Sequence, residues 1–95
     1  MKIKILEEAE KDIAIGISFY ESQKDGLGKY FLDSIVSDIE SLHIYAGIHI
    51  VIAGYYRLLS KRFPFSIYYK INDDVICVYA VLDCRKNPNS IQKRL

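Results

Sequence analysis

The sequence contains little cysteine, little proline and no long apolar run. Only 2 of its 95 residues are proline and 51% are hydrophobic, which is typical of a folded globular protein and argues against disorder. No apolar stretch approaches the roughly 20 residues that a membrane-spanning helix needs. Residues 1–8 lack the hydrophobic segment and cleavage site of a signal peptide. We therefore expect a single cytoplasmic domain over residues 1–95, with no role in a membrane.

The residue types that most often carry redox or metal chemistry are also few. Cys77 and Cys84 are the only cysteines, and without a Cys-x-x-Cys spacing or a nearby histidine they are expected to be reduced structural thiols. His43 and His49 are too few for a zinc site, which needs three or four clustered ligands. The segment Asn72-Asp73-Asp74 has the composition of a turn rather than of a calcium loop. The sequence predicts no metal and no cofactor.

Charge is distributed unevenly, although the formal net charge is only +1. Residues 7–40 contain nine acids and three lysines, whereas residues 54–95 contain eight bases and three acids. This polarity favours an anionic partner for the basic half, while attraction between the halves within the fold explains part of it. Binding to nucleic acid without sequence preference stays open, but a charge of +1 is low for a dedicated nucleic-acid-binding protein.

Hydrophobic periodicity predicts one short strand followed by two helices. Residues 2–5 alternate between lysine and isoleucine, as in an edge strand. Residues 8–23 and 29–45 place apolar side chains at intervals of three and four, which is the pattern of amphipathic helices. Gly26 and Gly28 lie between them and favour an antiparallel helical hairpin. The predicted inner faces consist of Ala9, Ile13, Ile17 and Tyr20 in the first helix and Phe31, Ile35, Ile39 and Leu42 in the second.

Three antiparallel strands are predicted next, and the last two form a hairpin. Every second residue of 62–71 is apolar, and residues 75–85 form a nearly continuous apolar run, as in a central strand. A turn at Asp73-Asp74 pairs Asn72 with Val75. The same register predicts four core pairs, which are Ile71–Ile76, Tyr69–Val78, Ile67–Ala80 and Phe65–Leu82. It also brings Arg62 beside Arg85 at the end of the sheet.

The strand before this hairpin covers residues 55–59. A turn at Ser60-Lys61 pairs Leu58 with Phe63 and Tyr56 with Phe65, whereas the apolar residues 48–53 are predicted only as an extended segment. Pro88 predicts a final short helical turn. The predicted fold is α+β, with a helical hairpin packed on one face of a small, mainly antiparallel four-stranded sheet in the order β-α-α-β-β-β. The open face is predicted to carry Tyr55, Arg57, Leu59, Arg62, Ser66, Tyr68, Lys70, Tyr79, Val81, Asp83 and Arg85.

Several short motifs, taken in order, resemble the RelE/ParE superfamily of toxins from type II toxin–antitoxin systems. The motifs are Gly26-Leu27-Gly28-x-x-Phe31, Tyr56-Arg57, Lys61-Arg62-Phe63-Pro64-Phe65-x-Ile67-Tyr68-Tyr69, Val78-x-Ala80-Val81 and Arg85-x-x-Pro88. The resemblance spans essentially the whole chain, and the motif around Pro64 is similar to the ParE-like, plasmid-stabilisation branch. The resemblance implies a small cytoplasmic protein that a cognate antitoxin wraps and neutralises. It also implies that the protein and its antitoxin together form an oligomer.

The resemblance also implies one of two targets. RelE-like members cleave mRNA in the ribosomal A site with lysines, arginines and a C-terminal tyrosine, whereas ParE-like members bind DNA gyrase and are not hydrolases. In this chain Ser66 stands where one catalytic arginine would be, Arg85 matches the other, and residues 86–95 contain neither tyrosine nor histidine. Because proton-transfer groups are missing, we expect a gyrase inhibitor without catalytic residues. An endoribonuclease of the mRNA interferase type is the alternative.

Binding requires only a complementary surface, for which arginine and aromatic side chains are the usual anchors. The predicted antitoxin- or target-binding residues are Tyr55, Arg57, Arg62, Tyr68, Tyr79, Arg85 and Lys86. In an alternative interpretation, Arg57 pairs with Asp83 across the sheet and the tyrosines only contact the antitoxin. A separate hypothesis is that Arg62 and Arg85 face each other and await an acidic residue of the antitoxin.

Overall fold

The computed structural model describes residues 1–95 and contains five strands and four helices. Their bounds are β1 Lys2–Ile5, α1 Glu7–Gln23, α2 Leu27–Glu40, α3 Leu42–Tyr45, β2 Val51–Ile52, β3 Tyr55–Leu59, β4 Phe65–Asn72, β5 Val75–Asp83 and α4 Pro88–Arg94. The strands form one sheet in the order β1-β5-β4-β3-β2, in which β1 is parallel to β5 and all other pairs are antiparallel. The predicted α+β fold with a helical hairpin on one face of the sheet is confirmed.

The sheet has five strands, so the prediction of four strands was wrong. The additional strand, β2, pairs with β3 through a two-residue turn at Ala53-Gly54. Both turn residues have positive φ, 53° and 84°, as a tight hairpin turn of this hand requires. Only two residues of the predicted extended segment become a strand, because this turn ends the pairing on one side and a bend precedes it on the other. No helix of the chain is long and apolar enough to cross a membrane.

The two long helices approach each other closely at glycines. A Cβ atom on Gly16 would lie 2.5 Å from the ring of Phe31, and one on Gly28 would lie 2.8 Å from the carbonyl oxygen of Ile17. The carboxylate of Glu21 on α1 accepts hydrogen bonds from the backbone N–H groups of Gly26 and Gly28, 2.9–3.2 Å away. Glu21 therefore satisfies the free donors at the start of α2.

The helical hairpin and the inner face of the sheet enclose one core. Its buried members are Ala9, Ile13, Tyr20, Phe31, Ile35, Ile39, Leu42, Phe65, Ile67, Tyr69, Ile76, Val78 and Val81. The rings of Tyr20, Phe31, Phe63 and Phe65 pack against one another, with centroids 4.7–6.2 Å apart. Seven of the eight helical residues predicted to face the core are buried, and Ile17 is half-buried.

A β-bulge changes the register of the β4–β5 hairpin. The predicted pairs from Asn72–Val75 to Tyr69–Val78 are confirmed, but beyond the bulge Ile67 pairs with Val81 and Phe65 pairs with Asp83. The predicted pairs Ile67–Ala80 and Phe65–Leu82 were wrong. Since a shift of one residue exchanges the two faces of a strand, Val81 enters the core, Ala80 turns to the open face and Asp83 lies on the helical side.

The register between β3 and β4 also differs from the prediction. Leu58 pairs with Ile67 and Tyr56 pairs with Tyr69, because residues 60–64 form a loop rather than a two-residue turn. The predicted partners Phe63 and Phe65 were wrong. Each observed partner lies four residues after the predicted one. Because side chains alternate between the two faces of a strand, a shift by an even number keeps the same face, and the predicted faces of β3 are correct.

Candidate binding surfaces

The structure separates the seven predicted binding residues into two groups and one outlier. The first group, Tyr55, Arg57, Tyr68 and Tyr79, lies on the sheet face that carries no helix, which we call the outer face. Arg85 and Lys86 follow β5, and Arg85 contacts Tyr20 of α1 on the helical side. Arg62 lies in the β3–β4 loop with its guanidinium carbon 5.8 Å from the ring centroid of Tyr30 on α2. The seven residues therefore do not form one surface.

Tyr55, Lys70 and Tyr79 form a compact cluster on the outer face. The ammonium nitrogen of Lys70 lies 4.5 Å from the ring centroid of Tyr55 and 5.7 Å from that of Tyr79. The two rings meet edge to face with their centroids 5.2 Å apart. Such contacts hold the cation in place while leaving it charged. The bulge explains the position of Tyr79, because it lets two successive residues, Tyr79 and Ala80, belong to the outer face.

Arg57 and Tyr68 are register partners in the middle of the outer face. Tyr68 is only 4% exposed and Arg57 is half-buried. The side chain of Arg57 makes no hydrogen bond or ion pair, and its Nε is buried without an acceptor. The alternative that paired Arg57 with Asp83 is wrong, because the shifted register turns Asp83 to the helical side, where Arg85 binds it at 2.7 Å.

Arg85 is paired within the chain rather than with Arg62. Its guanidinium donates to both carboxylate oxygens of Asp83, at 3.0 and 2.7 Å, and also to the hydroxyl of Tyr20 at 3.5 Å. The hydrogen bonds from Arg85 hold the pKa of the Asp83 carboxyl below its usual value. The hypothesis that Arg62 and Arg85 face each other is wrong, because β4 begins only at Phe65 and Arg62 stacks on Tyr30 instead.

Asp12 on α1 is a buried structural residue that the sequence analysis did not single out. Its carboxylate accepts a hydrogen bond from the backbone N–H of Val81 at 3.0 Å and two from Arg94 at 2.6 and 2.9 Å. Arg94 belongs to α4, so this ion pair fastens the C-terminal helix to the rest of the molecule. The same hydrogen bonds raise the pKa of Arg94. The available signal was the helical spacing, since Asp12 lies three residues from Ala9 and four from Gly16 on the inner face of α1.

A groove of about 370 Å³ lies between α1, β5 and α4. Its lining combines apolar side chains, among them Ile15, Phe19, Phe65 and Ile91, with the charged side chains of Asp83 and Lys86. Ile15 and Phe19 are 67% and 46% exposed, which is high for large apolar side chains. Lys86 is the one predicted binding residue that lines the groove. The groove is therefore a second candidate surface, distinct from the outer face.

The two positions that the resemblance relates to RNA cleavage, Ser66 and Arg85, lie on opposite sides of the sheet. Ser66 is only 2% exposed, and its hydroxyl lies 2.8 Å from the sulfur of Cys84. Arg85 lies on the opposite side of the sheet from the outer-face cluster and is engaged by Asp83. No three His, Cys, Asp or Glu side chains of residues 1–95 are grouped so as to hold a metal ion. The outer face presents cations and tyrosines, which are residue types suited to binding.

The sequence matches no family model and no curated protein. The fold, in contrast, is similar to that of a chain in a solved structure described as the chromosomal ParDE TA system from P. aeruginosa. The TM-score is 0.71 and the identity 20%, and the match covers 85% of this chain and 92% of that chain. At this level of identity the likeness establishes the fold. The fold that the resemblance to the RelE/ParE superfamily implied is therefore confirmed.

Proposed function

We propose that this chain is the toxin of a type II toxin–antitoxin system and acts in the cytoplasm as a ParE-like inhibitor of DNA gyrase. The observation that carries the proposal is the fold shared with a chain of the ParDE TA system structure over 85% of the present chain. On this proposal a cognate antitoxin neutralises the chain and assembles with it into an oligomer. The toxin itself catalyses no reaction, and it blocks gyrase by protein–protein contact.

The side chains support binding rather than RNA hydrolysis. An mRNA interferase needs a proton acceptor, a cation for the developing charge and an acid for the leaving group at one place. Here Ser66 is buried against Cys84, and Arg85 is ion-paired with Asp83 on the other side of the sheet. The outer face instead presents tyrosines and cations, the residue types that dominate protein interfaces.

The decisive experiment compares the two activities on one preparation of the protein. Cell-free synthesis avoids toxicity to a host, and the purified chain is then added to a gyrase supercoiling assay and to a ribosome-dependent mRNA cleavage assay. We expect inhibition of supercoiling and intact mRNA. Cleavage with gyrase unaffected would assign the chain to the RelE-like alternative, and inactivity in both assays, together with normal growth of cells expressing the chain, would refute the toxin proposal.

Two surfaces are available for two partners, and we propose that the outer face and the groove are both used. Tyr55→Ala combined with Tyr79→Ala alters the outer face, and Phe19→Ala combined with Lys86→Ala alters the groove. Val36→Ala, at an exposed apolar residue of α2 outside both surfaces, serves as the control. Each variant is tested for gyrase inhibition and for neutralisation by the antitoxin. We expect at least one pair to weaken each readout by about tenfold, as for removal of interface anchors.

A further inference from the structure

Arg57 differs from the other arginines of the chain in having no partner. Arg85 and Arg94 are bound by Asp83 and Asp12, and Arg62 lies over the ring of Tyr30. Arg57 is half-buried, makes no hydrogen bond or ion pair, and has a buried Nε without an acceptor. A partly desolvated cation without an acceptor is unfavourable, and native structures rarely leave such a group unexplained. Only Nε is fully enclosed, so the two Nη nitrogens, which also have no partner in the chain, are where an acceptor from another molecule can bind.

The charges around Arg57 indicate what kind of molecule this is. By strand register the outer face consists of Lys2, Lys4, Ile52, Tyr55, Arg57, Leu59, Ser66, Tyr68, Lys70, Asn72, Val75, Cys77, Tyr79, Ala80 and Leu82. None of these residues is acidic. Arg57 is accompanied by three lysines, of which Lys70 contacts the rings of Tyr55 and Tyr79 and the other two lie on the edge strand β1. The outer face lacks an acidic residue because the bulge in β5 turns Asp83 to the helical side, where Arg85 binds it.

We propose that the outer face binds an acidic peptide segment, one carboxylate of which takes the guanidinium of Arg57 as its partner. A planar guanidinium and a carboxylate form two parallel hydrogen bonds, which makes this pair selective as well as strong. The rings of Tyr55 and Tyr79 provide the adjoining apolar contact area. The inference rests on the proposed function only in assigning the peptide to the antitoxin; the carboxylate site itself does not depend on that assignment.

A peptide fits the outer face better than a nucleic acid does. Proteins gain affinity for nucleic acid by neutralising many phosphates with rows of lysine and arginine, whereas the outer face has four cations that do not form one row. Lys2 and Lys4 lie on β1, and the strand β5 separates them from Lys70 and Arg57 on β4 and β3. The net charge of the whole chain is +1, which gives little long-range attraction for a polyanion. A short segment with one or two carboxylates matches two cations surrounded by tyrosines.

The test uses the full chain, made by cell-free synthesis with ¹⁵N-arginine, and a capped peptide of alternating alanine and glutamate. A peptide in which glutamine replaces every glutamate is the uncharged control ligand. A single-stranded oligouridylate is the nucleic-acid probe. The Nε–H resonance of Arg57 reports a change at the guanidinium group, whose Nη nitrogens the carboxylate would bind. We expect the glutamate peptide to shift this resonance and to bind about tenfold more weakly to Arg57→Gln and to Arg57→Lys, since lysine keeps the charge but cannot pair in two places. Lys24→Gln, which removes an exposed cation in the turn between α1 and α2, should bind it as the unaltered chain does.

Three results would overturn the inference. They are equal binding of the glutamate and glutamine peptides, unchanged binding by Arg57→Lys, or oligouridylate binding that depends on Arg57 and exceeds peptide binding. If Arg57→Gln does not fold, the resonance shift in the unaltered chain and the Arg57→Lys variant decide the matter. Neutralisation in cells tests the assignment of the peptide to the antitoxin: a chain that arrests growth and is still neutralised after Arg57→Lys refutes that assignment and leaves the toxin proposal intact. A chain that binds the glutamate peptide but never arrests growth refutes the toxin proposal alone.

Discussion

Individual polar side chains inside this small protein hold segments that apolar packing alone does not. Asp12 joins α1, the backbone of β5 and the C-terminal helix through three hydrogen bonds. One of these hydrogen bonds comes from the backbone N–H of Val81. Val81 lies beyond the end of the β1–β5 pairing, so β1 offers this N–H no acceptor. The hydroxyl of Tyr69 likewise connects the sheet to the loop before β2, through Gly47 and His49. Such groups must be satisfied if they are buried.

We predict that the Asp12–Arg94 pair contributes far more to stability than an exposed pair does. Asp12→Asn or Arg94→Gln should lower the free energy of unfolding by about 1–3 kcal/mol, because each leaves a buried polar group without its charged partner. Urea unfolding at pH 7 measures the change. The control is Asp33→Asn, which breaks the 2.8 Å pair with Lys29 between side chains that are 79% and 61% exposed. That variant should lose less than about 0.5 kcal/mol, and equal losses would contradict the prediction.

We also predict that stability decreases as the pH falls below about 6.5, through His49. The backbone N–H of Gly47 donates to the hydroxyl of Tyr69, which leaves the hydroxyl hydrogen free for Nδ1 of neutral His49. Burial lowers the pKa of His49, so the unfolded chain binds a proton more readily than the folded one. The stability that neutral His49 contributes is fully present above the pKa of His49 in the unfolded chain. It is lost as the pH falls from that pKa towards the lower pKa of His49 in the folded chain.

Urea midpoints at pH 7.5, 6.5 and 5.5 test this prediction. His49→Gln should show a smaller decrease between pH 7.5 and 5.5 than the unaltered chain. His43→Gln removes the only other histidine, which lies on the surface, and should retain the full pH dependence. Identical curves for the unaltered chain and His49→Gln would show that His49 is not the responsible group.

At the scale of elements, close contacts and irregularities determine where the candidate surfaces lie. The helical hairpin packs tightly because Gly16 and Gly28 leave room for the neighbouring helix. The bulge in β5 turns Tyr79 and Ala80 to the outer face and brings Val81 and Asp83 to the helical side. Alternation could not predict this bulge, because Val78 to Leu82 are all apolar or aromatic and fit either register. The register error therefore had a direct effect on the predicted surface.

The hairpin contact predicts that Gly16→Ala destabilises the protein despite the better helix propensity of alanine. The added methyl group would lie 2.5 Å from the ring of Phe31, which is fully buried and surrounded by other aromatic rings. Overpacking of this kind costs about 1–3 kcal/mol and outweighs the roughly 1 kcal/mol gained from propensity. Thermal and urea unfolding measure the net loss. Ser18→Ala, an exposed change in the same helix, is the control and should be neutral or slightly stabilising. A more stable Gly16→Ala would show that the ring can move aside.

The whole molecule has an uncovered apolar end. Ile44, Tyr45, Ile48, Ile50 and Val51 are 51–78% exposed, and residues 44–56 contain no Asp, Glu, Lys or Arg. The short strand β2 lies at this end and forms one edge of the sheet. Exposed apolar residues beside a free strand edge favour association with other chains. This end differs from the basic outer face and the groove, so the molecule presents three distinct surfaces.

We predict that this end limits the solubility of the isolated chain. Ile48→Lys combined with Val51→Lys should reduce light scattering at high protein concentration and leave the free energy of unfolding within about 0.5 kcal/mol of its original value, since both side chains are exposed. Ser18→Lys combined with Ser37→Lys adds the same two charges at exposed positions elsewhere on the surface and controls for net charge. If this control variant improved solubility equally, the effect would be one of net charge rather than of this end.

The sequence predicted more of the fold than of the candidate site. The helices, their inner faces and the first half of the β4–β5 register followed from spacing alone, because burial on one side imposes periods of 3.6 and 2 residues. Of the predicted binding residues, four lie together on the outer face, while Arg62, Arg85 and Lys86 lie elsewhere. Asp12 and Lys70 acquire their roles from residues far away in the chain, which no local pattern indicates.

The sequence by itself determined the order of the elements other than β2, the inner faces of the two long helices and the first half of the β4–β5 hairpin. Each of these depends on neighbours within a few residues and on which side chains avoid water. Only the tertiary structure decided that the sheet has a fifth strand, that the bulge exchanges the faces beyond Val78, and that Arg57 is left without a partner while Arg85 and Arg94 are paired. These features arise from contacts between distant segments, where register and charge pairing are settled by packing rather than by local pattern.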